Sequence, residues 1–258
     1  MKIFFMLAYS QSRADRPVFT EVMANLQSKG FDVVAGVAES MAINTDSFAV
    51  DADLYILKSY STLWHNVAAV LDTKGARILN TYASTANTIN KIRAAALLSE
   101  AQIPIPRSWV TGELAHIPEV ANGMSVVVKP NVGHGGAGIQ VVRELSELAA
   151  TTIDDGMLVQ ELIEPIDDEI KLYVIGEDSF GIRKHKESGI REPIAVEPAI
   201  EDLAVKCSSA LGLEISGVDV VFSKGLPIVI DINHFPSFRG VPGATEALTD
   251  FIAASAKG

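Results

Sequence analysis

The sequence predicts a mixed α/β fold, and three observations carry that prediction. Strand-like and helix-like segments alternate through residues 1–84, which is typical of an open parallel sheet flanked by helices. A glycine-rich loop at residues 133–138 stands between two runs of β-branched residues. Residues 217–233, GVDVVFSKGLPIVIDIN, form the pattern of a β-hairpin. The chain should therefore join a parallel sheet to later antiparallel ones.

The N-terminal part, residues 1–84, is predicted to be a Rossmann-like subdomain. Its strands are KIFFMLAY, FDVVAGVA, ADLYILK and ARILN, and its helices are PVFTEVMANLQSKG and TLWHNVAAVLDTKG. The segment after the first strand, YSQSRADRP, has no glycine-rich turn, so a dinucleotide-binding module is not expected. The apolar start is short, is followed at once by charged residues, and lacks a cleavage site, which favours a strand over a signal peptide.

Composition narrows the functional class. The 258 residues are 48% hydrophobic and 21% charged, as in an ordinary globular protein, and the net charge of −11 argues against a nucleic-acid-binding surface. No apolar run of about 18 residues is present, so no membrane span is expected. The single cysteine, Cys207, lies in a helical pattern and is predicted to be a packing residue. Without an intrachain disulfide, the composition favours a cytoplasmic protein.

The remaining chain divides into two predicted subdomains, 85–163 and 164–258. The first contains the helix TANTINKIRAAALLSEAQ, the extended segment IPIPRSWV, strands SVVVKP and GIQVV, the helix RELSELAA and the strand MLVQELI. The second contains the strand EIKLYVIG, a basic segment, the helix EDLAVKCSSALG, the hairpin and the closing helix ATEALTDFIAASA. The central subdomain therefore presents the glycine loop, and the last subdomain presents the hairpin.

The glycine loop formally matches GxGxxG, but strands lie on both sides of it. It is therefore predicted to be a flap between antiparallel strands, whose backbone N–H groups could cover phosphates. Lys129, at the end of the preceding strand, could reach the same phosphates. The alternatives are a hairpin tip without a ligand and, for His134, a solvated side chain.

The hairpin predicts a metal site. If the chain turns at Lys224–Gly225, Asp219 lies opposite Asp231, and Asn233 faces the same way two residues later. Two carboxylates and an amide oxygen are hard ligands of the kind that Mg²⁺ prefers. The alternative is a solvated polar face on an edge hairpin.

The order of these signals resembles the ATP-grasp superfamily over roughly residues 53–251, and most closely its RimK-like glutamate-ligase branch, which is similar to glutathione synthetase. The resemblance implies an ATP-grasp fold with an N-terminal Rossmann-like pre-ATP-grasp subdomain, and ATP with one or two Mg²⁺ ions, Mn²⁺ being an alternative. It implies phosphate contacts from Lys91, Lys129, His134, Gly135 and Gly136. The implied adenine hinge is Gln160, Glu161, Leu162 and Ile163. Glu169 would hold the ribose hydroxyls, and Lys171 is a further implied cofactor-binding residue. The implied metal ligands are Asp219, Asp231 and Asn233.

Several residues depart from the glutamate-ligase pattern. Asp231 stands where a Glu is usual, Lys171 replaces an Arg, and Arg239 stands where an acidic residue is common. The acceptor loop is shortened to KESGIREPIAVEP. The segments KLYVIGE and DINHFPSFRGV resemble the inositol trisphosphate kinase branch, and the NH…FRG portion resembles ligases of amino-group-carrier lysine biosynthesis. These departures leave the substrate open.

A basic island, Arg183 to Lys186 with Arg191 beyond it, predicts an anionic substrate, since Arg and Lys suit a carboxylate or a phosphate equally. Arg183, Lys184 and Arg239 are the expected catalytic residues. The alternatives are a solvated loop and, for Arg239, a structural ion pair. The predicted function is an ATP-dependent carboxylate–amine ligase that uses a small anionic substrate, an amine acceptor and an acyl phosphate. A kinase of polyol or sugar-phosphate hydroxyls, a nucleotide-binding regulatory protein and a homo-oligomeric state stay open.

Overall fold

The structure is a computed structural model that describes residues 1–8, 17–132, 138–144, 152–163, 168–185 and 187–258. Within these ranges the chain forms one parallel sheet and two antiparallel sheets, so the mixed α/β prediction is confirmed. None of the helices in the described part of the chain is both long and apolar enough to cross a membrane.

The N-terminal sheet is parallel, with strand order β2-β1-β3-β4. Its strands are β1 (Lys2–Leu7), β2 (Asp32–Val37), β3 (Leu54–Leu57) and β4 (Ile78–Leu79), and its helices are α1 (Pro17–Ser28) and α2 (Thr62–Thr73). All four residues of β3 are buried, as expected for a central strand covered on both faces. The sheet matches the predicted alternation, while the Rossmann-like assignment and the boundaries at 84 and 163 stay predictions.

The helix predicted from residue 85 onward is in fact two helices, α3 (Tyr82–Ile89) and α4 (Lys91–Glu100). The break falls at Asn90, whose backbone leaves the helical region with φ −79° and ψ 101°. Its side chain accepts a hydrogen bond of 2.9 Å from the Arg93 N–H, which caps α4. The uninterrupted helix was therefore a wrong prediction, and the break makes Lys91 the first residue of α4.

The central sheet, which we call the lid sheet, is antiparallel with order β5-β8-β6-β7. Its strands are β5 (Ser108–Glu113), β6 (Val126–Pro130), β7 (Gln140–Val142) and β8 (Thr152–Glu161), with the short helix α5 (Ile117–Ala121) packed beside them. Because β6 pairs with β7, the glycine loop does join two antiparallel strands, as predicted. His134, Gly135, Gly136 and most of the predicted RELSELAA helix lie outside the described residues.

The third sheet is five-stranded, with order β11-β10-β9-β12-β13. It comprises β9 (Glu169–Ile175), β10 (Asp178–Lys184), β11 (Arg191–Ile194), β12 (Ile215–Ser223) and β13 (Leu226–Asn233), with helices α6 (Pro198–Leu211) and α7 (Ala244–Lys257). Leu172 and Val174 pack against α6, in a cluster that contains the fully buried Cys207. The packing role predicted for this cysteine is thus confirmed.

The other face of the five-stranded sheet packs against the N-terminal sheet. Tyr173 and Ile175 of β9 share one buried cluster with Phe5 and Phe19 of the N-terminal part. Asn80, just after β4, joins the two sheets through hydrogen bonds to Ile215 of β12. Its fully buried side chain donates to the Ile215 carbonyl at 2.7 Å and accepts from the Ile215 N–H at 2.9 Å. This packing brings the end of β3 close to the end of β13.

Candidate active site

A cavity of about 600 Å³ lies between the lid sheet and the five-stranded sheet. Its volume is in the range of small-molecule and cofactor sites. Most of the predicted site residues line it: Lys91, Lys129, Gln160, Glu161, Leu162, Ile163, Glu169, Lys171, Lys184, Asp219, Asp231 and Asn233. Side chains from α4, both antiparallel sheets and the strand connections therefore converge on one space.

The hairpin β12–β13 has the predicted register. Asp219 pairs directly with Asp231, and Gly217 pairs with Asn233. The turn consists of Lys224 and Gly225, with φ values of +52° and +77°, as a two-residue primed turn requires. A register shift follows Asp219, which marks a β-bulge at the level of the two carboxylates.

Lysine side chains contact both hairpin carboxylates. Lys91 Nζ lies 3.2 Å from Asp231 Oδ1, and Lys171 Nζ lies 2.5 Å from Asp219 Oδ1. Burial raises the pKa of Asp219 to about 7, even though Lys171 acts in the opposite direction, and repulsion from Asp231 adds to the increase. The two carboxylates of the hairpin and the lysines that contact them therefore lie at one end of the cavity.

The chemistry of these residues fits Mg²⁺. Mg²⁺ is commonly bound through one or two carboxylates together with substrate phosphates and water. Asp219 and Asp231 provide two carboxylates, and Asn233 adds an amide oxygen at the same end of the hairpin. Within the described ranges no group of three or more His, Cys, Asp or Glu side chains could hold a metal by itself. An ion here would therefore need phosphate or water oxygens to complete its coordination.

Lys129, on β6, has a different environment. Its Nζ donates a 2.9 Å hydrogen bond to the Ile230 carbonyl, and burial lowers its pKa, against the attraction of Asp231. No carboxylate of the described residues lies within ion-pair distance of it. A buried ammonium with only a carbonyl partner is well suited to an incoming anion.

A row of alternating charges runs along the floor of the cavity. The Glu169 carboxylate forms two ion pairs, with Lys171 Nζ at 2.8 Å and with Lys184 Nζ at 3.2 Å. Burial alone would raise the pKa of Glu169, but the two lysines outweigh it and lower that pKa. Burial would likewise lower the pKa of Lys171, yet Asp219 and Glu169 outweigh it and raise that pKa. Glu169 and Lys171 are therefore both charged, and their contact holds the two side chains in place.

The segment 160–163, at the end of β8 in the lid sheet, lines the cavity on the side away from the five-stranded sheet. The N–H of Glu161 donates to the Arg107 carbonyl at 2.8 Å, and that of Leu162 donates to the Ser125 carbonyl at 2.9 Å. The Arg107 guanidinium grips the Glu161 carboxylate through contacts of 2.9 and 3.3 Å. The backbone beside the cavity is thus held in place by neighbouring segments.

A family model described as a RimK-like ATP-grasp domain matches residues 88–249, well over half of the chain. The chain belongs to this family. A probable α-L-glutamate ligase 2 of Shewanella amazonensis is 28% identical over 201 residues, which cover 69% of this chain and 66% of that relative, just under two thirds.

Solved structures share the ATP-grasp fold, so that prediction is confirmed. A RimK domain ATP-grasp protein of Sphaerobacter thermophilus superimposes with a TM-score of 0.81 at 19% identity, and all of both chains is covered. The ATP-grasp ligase PsnB, solved with a phosphomimetic variant of its minimal precursor, Mg and ADP, gives 0.71 at 21% identity, with 98% of each chain covered.

Two predicted catalytic residues of this ATP-grasp protein do not line the cavity. Arg183 pairs with Glu192 at 3.3 Å and lies 3.9 Å from Asp168. Arg239 is exposed on the segment after β13. Lys184 does line the cavity, through its contact with Glu169. The roles of all three residues, and of the flap residues, stay predictions.

Two polar contacts were not anticipated from the sequence. The Tyr60 hydroxyl donates to Asn233 Oδ1 at 3.2 Å, and the Arg191 guanidinium donates to the Tyr173 hydroxyl. The position of Tyr60, just after a parallel strand, was an available signal, because ligand sites of open α/β sheets lie at the carboxyl ends of strands. Arg191 pairs with Lys184 across β10 and β11, so it faces the same side of the sheet.

Proposed function

We propose that the protein is an ATP- and Mg²⁺-dependent ligase that joins a carboxylate to an amine through an acyl phosphate. The observation that carries this proposal is the convergence of Lys91 and Lys129 with the Asp219–Asp231 pair at one end of the cavity. Cations for phosphate oxygens and hard ligands for Mg²⁺ at one site are the requirements of phosphoryl transfer from a nucleotide.

Each wall of the cavity would hold one part of the nucleotide. Residues 160–163 would hold the base through their backbone, and Glu169 would accept from the ribose hydroxyls. Lys91 and Lys129 would donate to phosphate oxygens, and Asp219, Asp231 and Asn233 would hold the ion. When bound, Mg²⁺ would neutralise charge on the β- and γ-phosphates. To donate to a phosphate oxygen, Lys129 would exchange its hydrogen bond to the Ile230 carbonyl for one to the nucleotide.

The bonds made and broken define the reaction. A carboxylate oxygen of the acid attacks the γ-phosphorus, ADP leaves, and an acyl phosphate forms. The amine nitrogen then attacks the acyl carbon, inorganic phosphate leaves, and an amide forms. Lys184, the residue of the basic island that lines the cavity, would bind the anionic acid beside the γ-phosphate. The glycine loop would keep water from hydrolysing the intermediate.

The relatives favour a ligase over the kinase alternative, since the Shewanella relative is named a probable glutamate ligase and PsnB is named a ligase. Another PsnB structure contains a precursor peptide, so amino acids and peptides are the first acids and amines to test.

The deciding experiment is turnover with ATP, Mg²⁺, a panel of amino acids, peptides and other small acids, and hydroxylamine. We expect a hydroxamate that depends on one class of acid, because hydroxylamine intercepts an acyl phosphate. ADP release driven by a polyol or sugar phosphate, without hydroxamate from any acid, would instead identify a kinase.

The metal assignment predicts the effect of Asp231→Ala. We expect ATP turnover to fall by at least about 10²–10³-fold, because preorganised charge at the phosphates is lost. The fold should persist, since the Asp231 side chain is 37% exposed and belongs to no core cluster. Asp202→Ala on the exposed side of α6 is the matched control. Wild-type turnover in Asp231→Ala, measured by coupled ADP release, would contradict the assignment.

A further inference from the structure

The N-terminal sheet contributes a side chain to the metal end of the cavity. Tyr60 follows β3 and is separated from Asn233 by 173 positions in the chain, yet its hydroxyl donates to Asn233 Oδ1 at 3.2 Å. Tyr60 also lies outside residues 88–249, the part matched by the family model. The matched family model therefore contains Asn233 but not its partner Tyr60.

The turn that carries Tyr60 is held firmly in place. The Ser61 N–H donates to Ser59 Oγ at 2.9 Å, and His65 Nε2 lies 2.8 Å from the Ser59 carbonyl oxygen. Ser59 is fully buried. These bonds fix the backbone on both sides of Tyr60, so the direction of its side chain is set by the start of α2.

The Tyr60 ring is fixed as well. It packs edge-on against the His234 ring, with centroids 4.4 Å apart and an interplanar angle of 63°. His234 is fully buried and directly follows Asn233. Tyr60 therefore contacts two consecutive residues, Asn233 through its hydroxyl and His234 through its ring.

Asn233 is an ambiguous ligand unless its amide is oriented. Its Nδ2 lies 3.5 Å from Asp231 Oδ2, while its Oδ1 accepts from Tyr60. A rotation of the amide by half a turn would place N–H groups, which repel a cation, where the oxygen now lies. Because a carbonyl oxygen has two lone pairs, Oδ1 can accept from Tyr60 and still coordinate an ion.

We propose that Tyr60 is a positioning residue that orients the Asn233 amide for Mg²⁺ in the nucleotide complex. This inference rests on the proposed function, which assigns Asn233 to the metal. Residues that orient a metal ligand commonly change metal affinity by 10–100-fold when they are altered. The single neutral hydrogen bond here supports an effect of about 5- to 10-fold.

The test is Tyr60→Phe, which removes the hydroxyl and retains the ring that packs on His234. ADP binding is titrated with Mg²⁺ by calorimetry, and ADP affinity is also measured in EDTA. We expect the half-saturating Mg²⁺ concentration to rise about 5- to 10-fold, with unchanged ADP affinity in EDTA. These readouts are independent of turnover.

Tyr55→Phe is the matched control. Its hydroxyl accepts from the Asp51 and Ala52 N–H groups at 2.9 and 3.2 Å, away from the cavity, so its loss costs stability. We expect this variant to lower the thermal midpoint without changing the Mg²⁺ dependence. An equal Mg²⁺ shift in both variants would mean a general structural effect and would overturn the proposal.

A double-mutant cycle with Asn233→Ala separates the two levels of inference. If Tyr60 acts through Asn233, adding Tyr60→Phe to Asn233→Ala should produce no further Mg²⁺ shift. A shift in Asn233→Ala with none in Tyr60→Phe would overturn the role of Tyr60 alone. No shift in Asn233→Ala would refute the metal assignment, and this proposal with it.

Discussion

The two walls of the cavity differ in their chemistry. The lid sheet and its connections contribute mainly apolar side chains, such as Val127, Ile139 and Leu162, with Lys129, Gln160 and Glu161 as the exceptions among the residues that line the cavity. The five-stranded sheet contributes carboxylates, lysines and an amide. One wall therefore suits a flat apolar group such as a base, and the other suits phosphates and a cation.

The lysines of the two walls differ in the same way. Among the described residues, the Ile230 carbonyl is the one hydrogen-bond partner of Lys129, and burial lowers the pKa of this lysine. Lys171 pairs with two carboxylates, which outweigh burial and raise its pKa. The difference indicates that Lys129 is poised for a ligand, whereas Lys171 neutralises the protein's own acids.

Lys171→Met should give the largest effect on stability. It leaves Glu169 and Asp219 buried without their shared ammonium, and breaking a buried ion pair costs about 3–5 kcal/mol. Thermal and urea unfolding would measure the loss. Lys206→Met, on the exposed side of α6, is the control and should change little. If the two variants are equally stable, Lys171 does not have the structural role assigned to it.

Lys129→Met should lower turnover and raise stability, whereas Lys171→Met lowers stability. We expect turnover to fall by about 10²–10³-fold, because one preorganised donor to the phosphates is lost. The thermal midpoint should rise by about 2–4 °C, equivalent to about 1 kcal/mol, since a costly buried charge is removed. Lys129→Arg is the control that retains the charge.

The stability gain of Lys129→Met should depend on pH. Burial sets the pKa of Lys129 below its ordinary value of 10.5, so between the two values the unfolded chain binds more protons than the folded protein. The wild-type protein therefore becomes more stable relative to Lys129→Met as pH increases toward 10.5. The amount by which the thermal midpoint of the variant exceeds that of the wild type should narrow over the same range. A gap that is independent of pH would contradict the assigned cost of burial.

The hairpin end of the site was largely predictable from sequence because a hairpin turn fixes the register of its two strands. Once the chain turns at Lys224–Gly225, the alternation of strand residues places Asp231 opposite Asp219 and turns Asn233 to the same face. The order of motifs then identified the family and most of the other cavity residues. Local rules and family pattern together were sufficient for these features.

Contacts between distant segments were not predictable in the same way. Lys171 meets Asp219 because β9 pairs with β12 in a particular register, which no local signal in either strand defines. Tyr60 meets Asn233 only because the N-terminal sheet packs against the five-stranded sheet. The break at Asn90 was local, but a capping Asn inside an apolar helical pattern is easily read as an ordinary helix position.

The smallest effect is predicted for the hairpin turn, where Lys224, which joins β12 to β13 of the five-stranded sheet, also acts electrostatically on Glu161 of the lid sheet. Lys224 adopts φ +52°, where Asn is tolerated better than Lys, so Lys224→Asn should stabilise the protein by about 0.5 kcal/mol. The charge of Lys224 also helps to lower the pKa of Glu161 on the lid side, after the larger effect of Arg107. Lys224→Arg, which keeps the charge and the unfavourable backbone, should therefore show no gain by urea unfolding. A loss of stability in Lys224→Asn would mean that attraction between the two walls outweighs the backbone preference, and the walls would then be coupled electrostatically even without a ligand.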